Sequence, residues 1–276
     1  MINKLALGTV QFGLSYGISN KNGKTPVNEV SRILLAAKKL GINIIDTAYA
    51  YGNSQEVLGE VGVDGFKVVS KFISPTELET LDMQVETTCA QLRVKRFYAM
   101  LAHRPLSVIE NPALWDILKQ YKLSGIIQKI GFSFNTLSEA NLVLSAGYIP
   151  DLIQVPFNYF DLRFVTIMKE LKAKGCEIHT RSAFLQGLFF LNPLELPEFF
   201  NPVKGILKDI KQNYGPIEGS LLSFCINQDF IDRVVLGVNN QEQLLKNVNS
   251  ISEAKPLPEL NINIPHEILM PSMWPK

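Results

Sequence analysis

Four side chains in the first half of the chain are of the types that can together protonate a carbonyl oxygen: Asp46, Tyr51, Lys71 and His103. A tyrosine has an ordinary pKa of about 10, which is too high for a general acid at neutral pH. A neighbouring ammonium group stabilises the phenolate and lowers that pKa, and each unit corresponds to about 1.4 kcal/mol. We therefore predict that Tyr51 donates the proton, that Asp46 keeps Lys71 charged, and that His103 orients the carbonyl.

Polar side chains recur where short apolar runs end. A run ends at or just before three of the four residues: Asp46, Lys71 and His103. Later runs end in further polar side chains: Ser133, Gln154 and Arg181. If the runs are parallel strands of a barrel, their carboxyl ends meet on one face. The predicted catalytic groups would then form one titratable cluster on that face.

There are eight such runs, at residues 5–7, 42–45, 68–70, 97–101, 129–132, 152–155, 176–180 and 233–236. Short, mostly apolar runs are typical of parallel strands that are buried on both faces. The segments between them carry helix signals. Thr25-Pro26 and Gly41 bound the first long helix, and Ser74-Pro75-Thr76-Glu77 has the capping-box pattern of another. This alternation predicts an α/β fold, a (β/α)8 TIM barrel in a single domain of residues 1–276, with a C-terminal tail over about 252–276.

A doubly wound open sheet is the rival fold. If it bound a dinucleotide, it would normally carry G-x-G-x-x-G after the first strand, whereas residues 8–13 read G-T-V-Q-F-G.

Two segments, residues 15–24 and 191–202, are rich in Asn, Gly or Pro and are predicted loops. In a barrel, a long loop after the first strand lies on the catalytic face. Several aromatic side chains are candidates to line a pocket: Phe12, Tyr16, Phe72, Phe160 and Trp274.

The composition excludes several classes of protein. The 276 residues are 46% hydrophobic and 19% charged, with a formal net charge of +1, so no basic excess attracts nucleic acid or an anionic membrane. No apolar run approaches the roughly 20 residues of a membrane helix, and the N-terminus lacks a signal-peptide pattern. The three cysteines are widely spaced, which predicts free thiols in a cytoplasmic protein and no metal site.

Three segments carry a resemblance to a known family. Residues 41–59 read G-I-N-I-I-D-T-A-Y-A-Y-G-N-S-Q-E-V-L-G, residues 68–71 read V-V-S-K, and residues 101–105 read L-A-H-R-P. With 130–135, 154–158 and 235–247, they resemble the motifs of the aldo-keto reductase superfamily. The resemblance covers about residues 4–251. It implies a (β/α)8 barrel that reduces a small aldehyde or ketone, sugars among them, with NAD(P)H and without a Rossmann fold.

The resemblance also implies roles for individual residues. The catalytic tetrad would be Asp46, Tyr51, Lys71 and His103. The nicotinamide carboxamide would be held by Ser133, Asn135 and Gln154, the pyrophosphate would lie along Ser182, Phe184, Gln186 and Gly187, and the adenosine would lie near Gln243 and Asn247. The predicted cofactor-binding set is completed by Gly8, Thr9, Asp46, Arg181, Gly237 and Asn239. NADPH is the predicted cofactor, with NADH as the alternative.

Two positions depart from the family pattern. Arg181 stands where the family often has an aromatic residue under the nicotinamide, and the segment from Gly237 to Gln243 lacks the Lys or Arg of NADPH-preferring members.

Two other functions use the same residues. Lys71 could form a Schiff base with a carbonyl substrate, as in an aldolase. Alternatively, the barrel could bind cofactor as a non-catalytic sensor or assembly subunit.

Overall fold

Eight parallel strands form a closed barrel in the computed structural model, which describes residues 2–260 and 262–275. The strands are β1 Leu5–Gly8, β2 Ile44–Asp46, β3 Lys67–Phe72, β4 Phe97–Ala102, β5 Ile127–Ser133, β6 Leu152–Pro156, β7 Glu177–Arg181 and β8 Arg233–Gly237. They follow one another around the barrel in chain order, and β1 pairs with both β2 and β8. The predicted (β/α)8 barrel is therefore confirmed. Met1, Asn261 and Lys276 of the predicted domain and tail lie outside the described residues.

Helices follow the strands and surround the barrel. They are α1 Val10–Gly13, α2 Val27–Lys39, α3 Ser54–Val61, α4 Leu81–Leu92, α5 Leu106–Glu110, α6 Ala113–Leu123, α7 Leu137–Ser145, α8 Val165–Ala173, α9 Asn201–Asn213, α10 Ile217–Ile226, α11 Gln241–Asn249 and α12 His266–Leu269. Short 3-10 segments occur at Ile2–Lys4, Leu185–Phe190, Glu198–Phe200, Ser250–Glu253 and Pro271–Met273. The predicted loop at 15–24 contains no helix, whereas the one at 191–202 includes a 3-10 turn and the start of α9.

Two predicted helix starts were wrong. Thr25 is not the N-cap of α2, because its hydroxyl donates to the Asn239 carbonyl oxygen (3.2 Å) and Pro26 occupies the cap position. The Ser74-Pro75-Thr76-Glu77 pattern does not start α4, which begins at Leu81 with Thr80 as its N-cap. Residues 76–79 instead form a turn in which the Thr76 hydroxyl accepts from the Glu79 N–H (3.1 Å). In the first case the polar side chain binds a distant segment, and in the second a local turn precedes the helix, so that the helix begins several residues later.

The core has three groups of buried apolar side chains. The largest lies between the strands and the helices, and a smaller one contains only strand residues, such as Ala6, Val69 and Leu101. The third joins the loops after β6 and β7 to α9 and the C-terminal tail. In this third group the ring of Trp274 meets the ring of Phe200 edge to face with centroids 5.3 Å apart, so the tail packs against the segment that leads into α9.

The strand register brings the predicted site residues to one end of the barrel. It pairs the carboxyl-terminal residues of neighbouring strands: Gly8 with Asp46, Gly8 with Gly237, Ser133 with Gln154, and Pro156 with Arg181. None of the described helices has the length and apolar character needed to cross a bilayer. Among the same residues, no group of three or more His, Cys, Asp or Glu side chains is arranged to hold a metal ion.

Candidate active site

A buried ion pair lies where β2 and β3 end. Lys71 Nζ is 2.8 Å from both carboxylate oxygens of Asp46 and 2.9 Å from the carbonyl oxygen of Thr47. Lys71 is fully buried, and all three of its donors are therefore used. An amine that acts as a nucleophile needs a free electron pair and access to the substrate. The geometry fits a fixed positive charge better than a Schiff-base lysine.

Asp46 is held from two further directions. The amide nitrogen of Gln154, on β6, donates to Asp46 Oδ1 at 2.6 Å. The N–H and the hydroxyl of Thr9 both donate to the Asp46 carbonyl oxygen, at 3.0 and 2.9 Å. Gln154 is fully buried, and its own carbonyl oxygen has no partner among the described residues. Gln154, which was predicted to bind the nicotinamide carboxamide, therefore contacts the Lys71–Asp46 ion pair in this structure.

Tyr51 and His103 form the exposed side of the cluster. Their rings meet edge to face with centroids 5.9 Å apart, and Lys71 Nζ lies 5.0 Å from the centroid of the Tyr51 ring. The turn that carries Tyr51 packs closely against α1. A Cβ on Gly13 would lie 1.8 Å from the Tyr51 carbonyl oxygen, so this contact requires glycine. The last residue of the G-T-V-Q-F-G segment thus sets the position of the predicted proton donor.

His103 is neutral at physiological pH. Burial, together with the smaller effects of the positive charges of Lys71, Arg181 and Arg104, lowers its pKa from the ordinary 6.5 to about 3. A neutral imidazole keeps one N–H donor and one acceptor nitrogen. His103 can therefore donate a hydrogen bond to an oxygen in the cleft without competing with Tyr51 as the acid.

A cleft of about 370 Å³ opens above these residues, which is within the range of small-molecule sites. Most of the predicted residues line it: Gly8, Thr9, Asp46, Tyr51, His103, Asn135, Arg181, Ser182, Phe184, Gln186, Gly187, Gly237, Asn239 and Gln243. Four predicted residues are buried behind its wall: Lys71, Ser133, Gln154 and Asn247. The carboxyl end of the barrel thus forms one continuous site.

Comparisons with known proteins identify the family of the chain. The chain matches the model of the Aldo/keto reductase family over residues 4–268. The chain belongs to this family. No curated protein sequence matches it.

Solved structures share the fold at low sequence identity. A holo-form aldo-keto reductase from Bacillus halodurans is 19% identical with a TM-score of 0.71, covering 92% of this chain and 88% of that one. Its apo form is 20% identical with a TM-score of 0.69, covering 92% and 87%. A protein of Pseudomonas aeruginosa described as a candidate aldo-keto reductase is 22% identical with a TM-score of 0.67, covering 91% and 89%. At these identities the similarity shows the fold alone.

Arg181 of this aldo/keto reductase is anchored at the edge of the cleft. Its Nη2 donates to the Asn135 side-chain oxygen (2.5 Å) and to the Phe134 carbonyl oxygen (3.1 Å). The two predicted cofactor residues Asn135 and Arg181 are therefore linked to each other. A guanidinium has five N–H donors, so donors remain for a ligand in the cleft.

Family members generally use NAD(P)H, and the lining of the cleft has features that suit such a ligand. Two glycines of the cleft wall lie against neighbouring side chains. A Cβ on Gly187 would lie 2.0 Å from Ser19 Oγ, and a Cβ on Gly237 would lie 2.7 Å from Gln11 Nε2. Two buried amide oxygens have no partner among the described residues, those of Gln11 and Asn239, and both residues line the cleft. Free buried acceptors are costly unless a ligand or water satisfies them, so this region is suited to a hydroxyl-bearing ligand.

Sequence reasoning missed part of the lining. Gln11 lines the cleft but was not predicted to do so. It is a polar residue in the segment between Gly8 and Gly13, directly after the first predicted strand, and this position could have indicated it. The tail residues 269–272 also line the cleft, and nothing in the sequence indicated that they do. Of the aromatic candidates only Tyr16 lines it.

Proposed function

We propose that this protein reduces a small aldehyde or ketone, sugars among them, to an alcohol with NAD(P)H. The observation that carries the proposal is the arrangement of Tyr51 and His103 on the cleft side of the buried Lys71–Asp46 pair. This arrangement presents one phenol and one neutral imidazole to a carbonyl oxygen, with a fixed positive charge behind them.

In this mechanism Tyr51 donates its proton to the carbonyl oxygen. The charge of Lys71, 5.0 Å from the centre of the phenol ring, stabilises the phenolate that remains. Asp46 keeps Lys71 charged and fixed by accepting two of its hydrogen bonds. His103 donates its one N–H to the same carbonyl oxygen and so fixes the angle of approach.

Several residues would hold the cofactor. They are Asn135 and Arg181, the segment 182–187, and Gln11, Asn239 and Gln243, all of which line the cleft. When bound, a reduced nicotinamide supplies the hydride to the carbonyl carbon. The resemblance favours NADPH, and the proposal at this level includes NADH as well.

The test is a screen of aldehydes, ketones and sugars for oxidation of NADPH and NADH, run on wild type and Tyr51→Phe. We expect turnover by the wild type and a loss of at least about 100-fold in the variant, the low end for general acid catalysis. Tight cofactor binding without turnover of any carbonyl would favour the sensor or assembly subunit. Borohydride trapping of a carbonyl compound on Lys71 would favour the aldolase.

A further inference from the structure

The C-terminal tail forms one wall of the cleft. Residues 269–272, at the end of α12 and directly after it, line the cleft, and the first three are the apolar residues Leu269, Met270 and Pro271. None of these residues belongs to the set that is proposed to hold the cofactor. If the proposed function holds, this tail wall is left for the carbonyl substrate.

Met270 is held by an arginine that lies outside the cleft. Arg163, in the loop between β6 and α8, places both of its terminal nitrogens 3.7 Å from Met270 Sδ, and a thioether sulfur is a weak acceptor. Its Nη1 also lies 3.3 Å from Nδ1 of His266, the first residue of α12. One guanidinium group therefore contacts both α12 and the wall residue that follows it.

Arg163 is itself fixed by a buried carboxylate. Its Nε and Nη2 each donate to one carboxylate oxygen of Asp161 at 2.8 Å. The side chain of Asp161 is 1% exposed and that of Arg163 is 17% exposed. A planar guanidinium that binds a carboxylate through two hydrogen bonds has a fixed orientation. One edge of the group is thus held by Asp161, and the next edge lies against Met270.

The same loop is attached to a second segment of the cleft. Asn158 is fully buried, and its side-chain nitrogen donates to the carbonyl oxygen of Ser182 at 3.1 Å. Its side-chain oxygen accepts from the N–H of Asp161 at 3.2 Å. Ser182 lines the cleft and begins the segment that is proposed for the cofactor. The loop after β6 therefore joins that segment to the tail wall.

We infer that Arg163 is a positioning residue for substrate specificity, which fixes Met270 where the apolar substituent of an aldehyde or ketone packs. The inference rests on the proposed function and narrows its substrate class to carbonyl compounds with an apolar substituent of several carbons. A methionine side chain adapts to groups of different shape, and the anchored guanidinium limits where it can lie. Arg163 acts through Met270, because Arg163 itself does not line the cleft.

The test is steady-state kinetics at saturating reduced cofactor with acetaldehyde and hexanal, which share the reacting group and differ in the length of the apolar chain. We expect Met270→Ala to raise KM for hexanal about fivefold or more, and to leave kcat and the KM for acetaldehyde within about twofold. Arg163→Lys should show the same pattern, because a lysine can pair with Asp161 but has no second edge for Met270.

A double variant tests whether Arg163 acts through Met270. Arg163→Lys in the Met270→Ala background should raise KM for hexanal by less than about twofold more, because both changes remove the same contact. Lys172→Gln is the matched control, since it breaks an ion pair between α8 and Asp232 (2.6 Å) that involves no tail residue. Both of its KM values should stay within about twofold of the wild-type values.

Equal rises in KM for both aldehydes, or additive effects of the two variants, would overturn the inference, because Arg163 would then support the fold in general. Weaker binding of the reduced cofactor in Met270→Ala would also overturn it. A wild type that reduces sugars but not hexanal would overturn the inference and leave the reductase function intact. If the wild type reduces no carbonyl compound, the proposed function fails and the inference fails with it. The Met270→Ala kinetics decide the matter even if Arg163→Lys does not fold.

Discussion

The barrel contains the same four kinds of functional group at both of its ends. The upper quartet, at the carboxyl ends of the strands, consists of Asp46, Tyr51, Lys71 and His103. The lower quartet, nearer the amino ends, consists of Glu177, Tyr98, Lys129 and His179. Each quartet has one carboxylate, one phenol, one ammonium and one imidazole, yet only the upper quartet opens on the cleft.

In the lower quartet every contact converges on one carboxylate. Tyr98 and Lys129 both donate to Glu177 Oε2 at 2.5 Å, and His179 Nε2 lies 2.8 Å from Glu177 Oε1. Burial alone would raise the pKa of Glu177, but these hydrogen bonds outweigh it and hold the pKa far below its ordinary value. The phenol is thus already committed to a partner inside the protein.

In the upper quartet the four groups do not share one partner. Lys71 is buried and binds Asp46 at the floor of the cleft, while Tyr51 and His103 face the cleft and their rings meet edge to face. The difference shows that residue types alone do not make a catalytic site. What matters is whether the acid and the orienting group keep free hydrogen-bonding capacity on the side where a ligand can enter.

The largest expected difference between the quartets concerns their lysines. Lys71→Met leaves the Asp46 carboxylate buried without a counter-charge, so we expect a loss of about 3–5 kcal/mol in the free energy of unfolding. Lys129→Met should cost about 1 kcal/mol, because Lys129 is 32% exposed and Glu177 keeps Tyr98 and His179. Urea unfolding at pH 7 measures both. Equal losses would mean that the two ion pairs are equivalent.

The tyrosines should separate catalysis from stability. Tyr51→Phe should lower kcat at least about 100-fold and leave the free energy of unfolding nearly unchanged, because its hydroxyl serves the substrate. Tyr98→Phe should leave kcat unchanged and destabilise by about 1–3 kcal/mol, because Glu177 loses a charge-assisted hydrogen bond. Steady-state kinetics and urea unfolding of both variants check this. A normal kcat in Tyr51→Phe would exclude it as the proton donor.

The comparison also explains how much could be read from the sequence. The eight strands were predictable because buried parallel strands are continuous apolar runs, and polar residues at their ends stand out. Glu177 and His179 belong to a similar apolar run, and only the closed barrel shows that they bind each other and not a ligand. Side-chain partners set by register around the barrel, such as Gln154 with Asp46, have no local sequence signal.

Contacts between distant segments could likewise not be predicted from the sequence. Gln11 approaches Gly237, and residues 269–272 reach the cleft, only because the barrel closes and the tail packs on α9. The same reason accounts for Thr25, whose hydroxyl bonds to Asn239 across the barrel closure instead of capping α2. Local patterns predict elements, whereas these contacts depend on where the elements meet.

The pH dependence of stability should differ between the quartets. His103 has a folded pKa of about 3 against an ordinary 6.5, so the unfolded chain binds more protons between these values, and stability falls as the pH falls below about 6.5. One group contributes at most about 1.4 kcal/mol per pH unit. The lowered pKa of Glu177 contributes stability above its ordinary 4.5 that is lost as the pH falls further.

We therefore expect His103→Gln to flatten the stability curve between about pH 6.5 and 4.5, and Glu177→Gln to flatten it only below about pH 4.5. Urea unfolding at half-unit pH intervals measures both windows. Parallel curves for wild type and His103→Gln between pH 4.5 and 6.5 would show that His103 titrates normally in the folded protein.

The smallest expected effect concerns Arg181, a cation that adjoins the upper quartet and is held by Asn135 and Phe134. The oxidised nicotinamide ring is cationic and the reduced ring is neutral. Two unit charges about 4 Å apart repel by about 4 kcal/mol at an effective dielectric constant of 20, and solvent at the cleft mouth and nearby phosphates should reduce this to about 1 kcal/mol. Arg181 should therefore favour the reduced cofactor and bias the reaction toward carbonyl reduction.

Arg181→Gln should improve the affinity for the oxidised form relative to the reduced form by about fivefold, measured as a ratio of dissociation constants. Arg104→Gln is the matched control, because Arg104 adjoins His103 in sequence but does not line the cleft, and its ratio should not change. Equal weakening of both forms in Arg181→Gln would make Arg181 a clamp on the pyrophosphate instead.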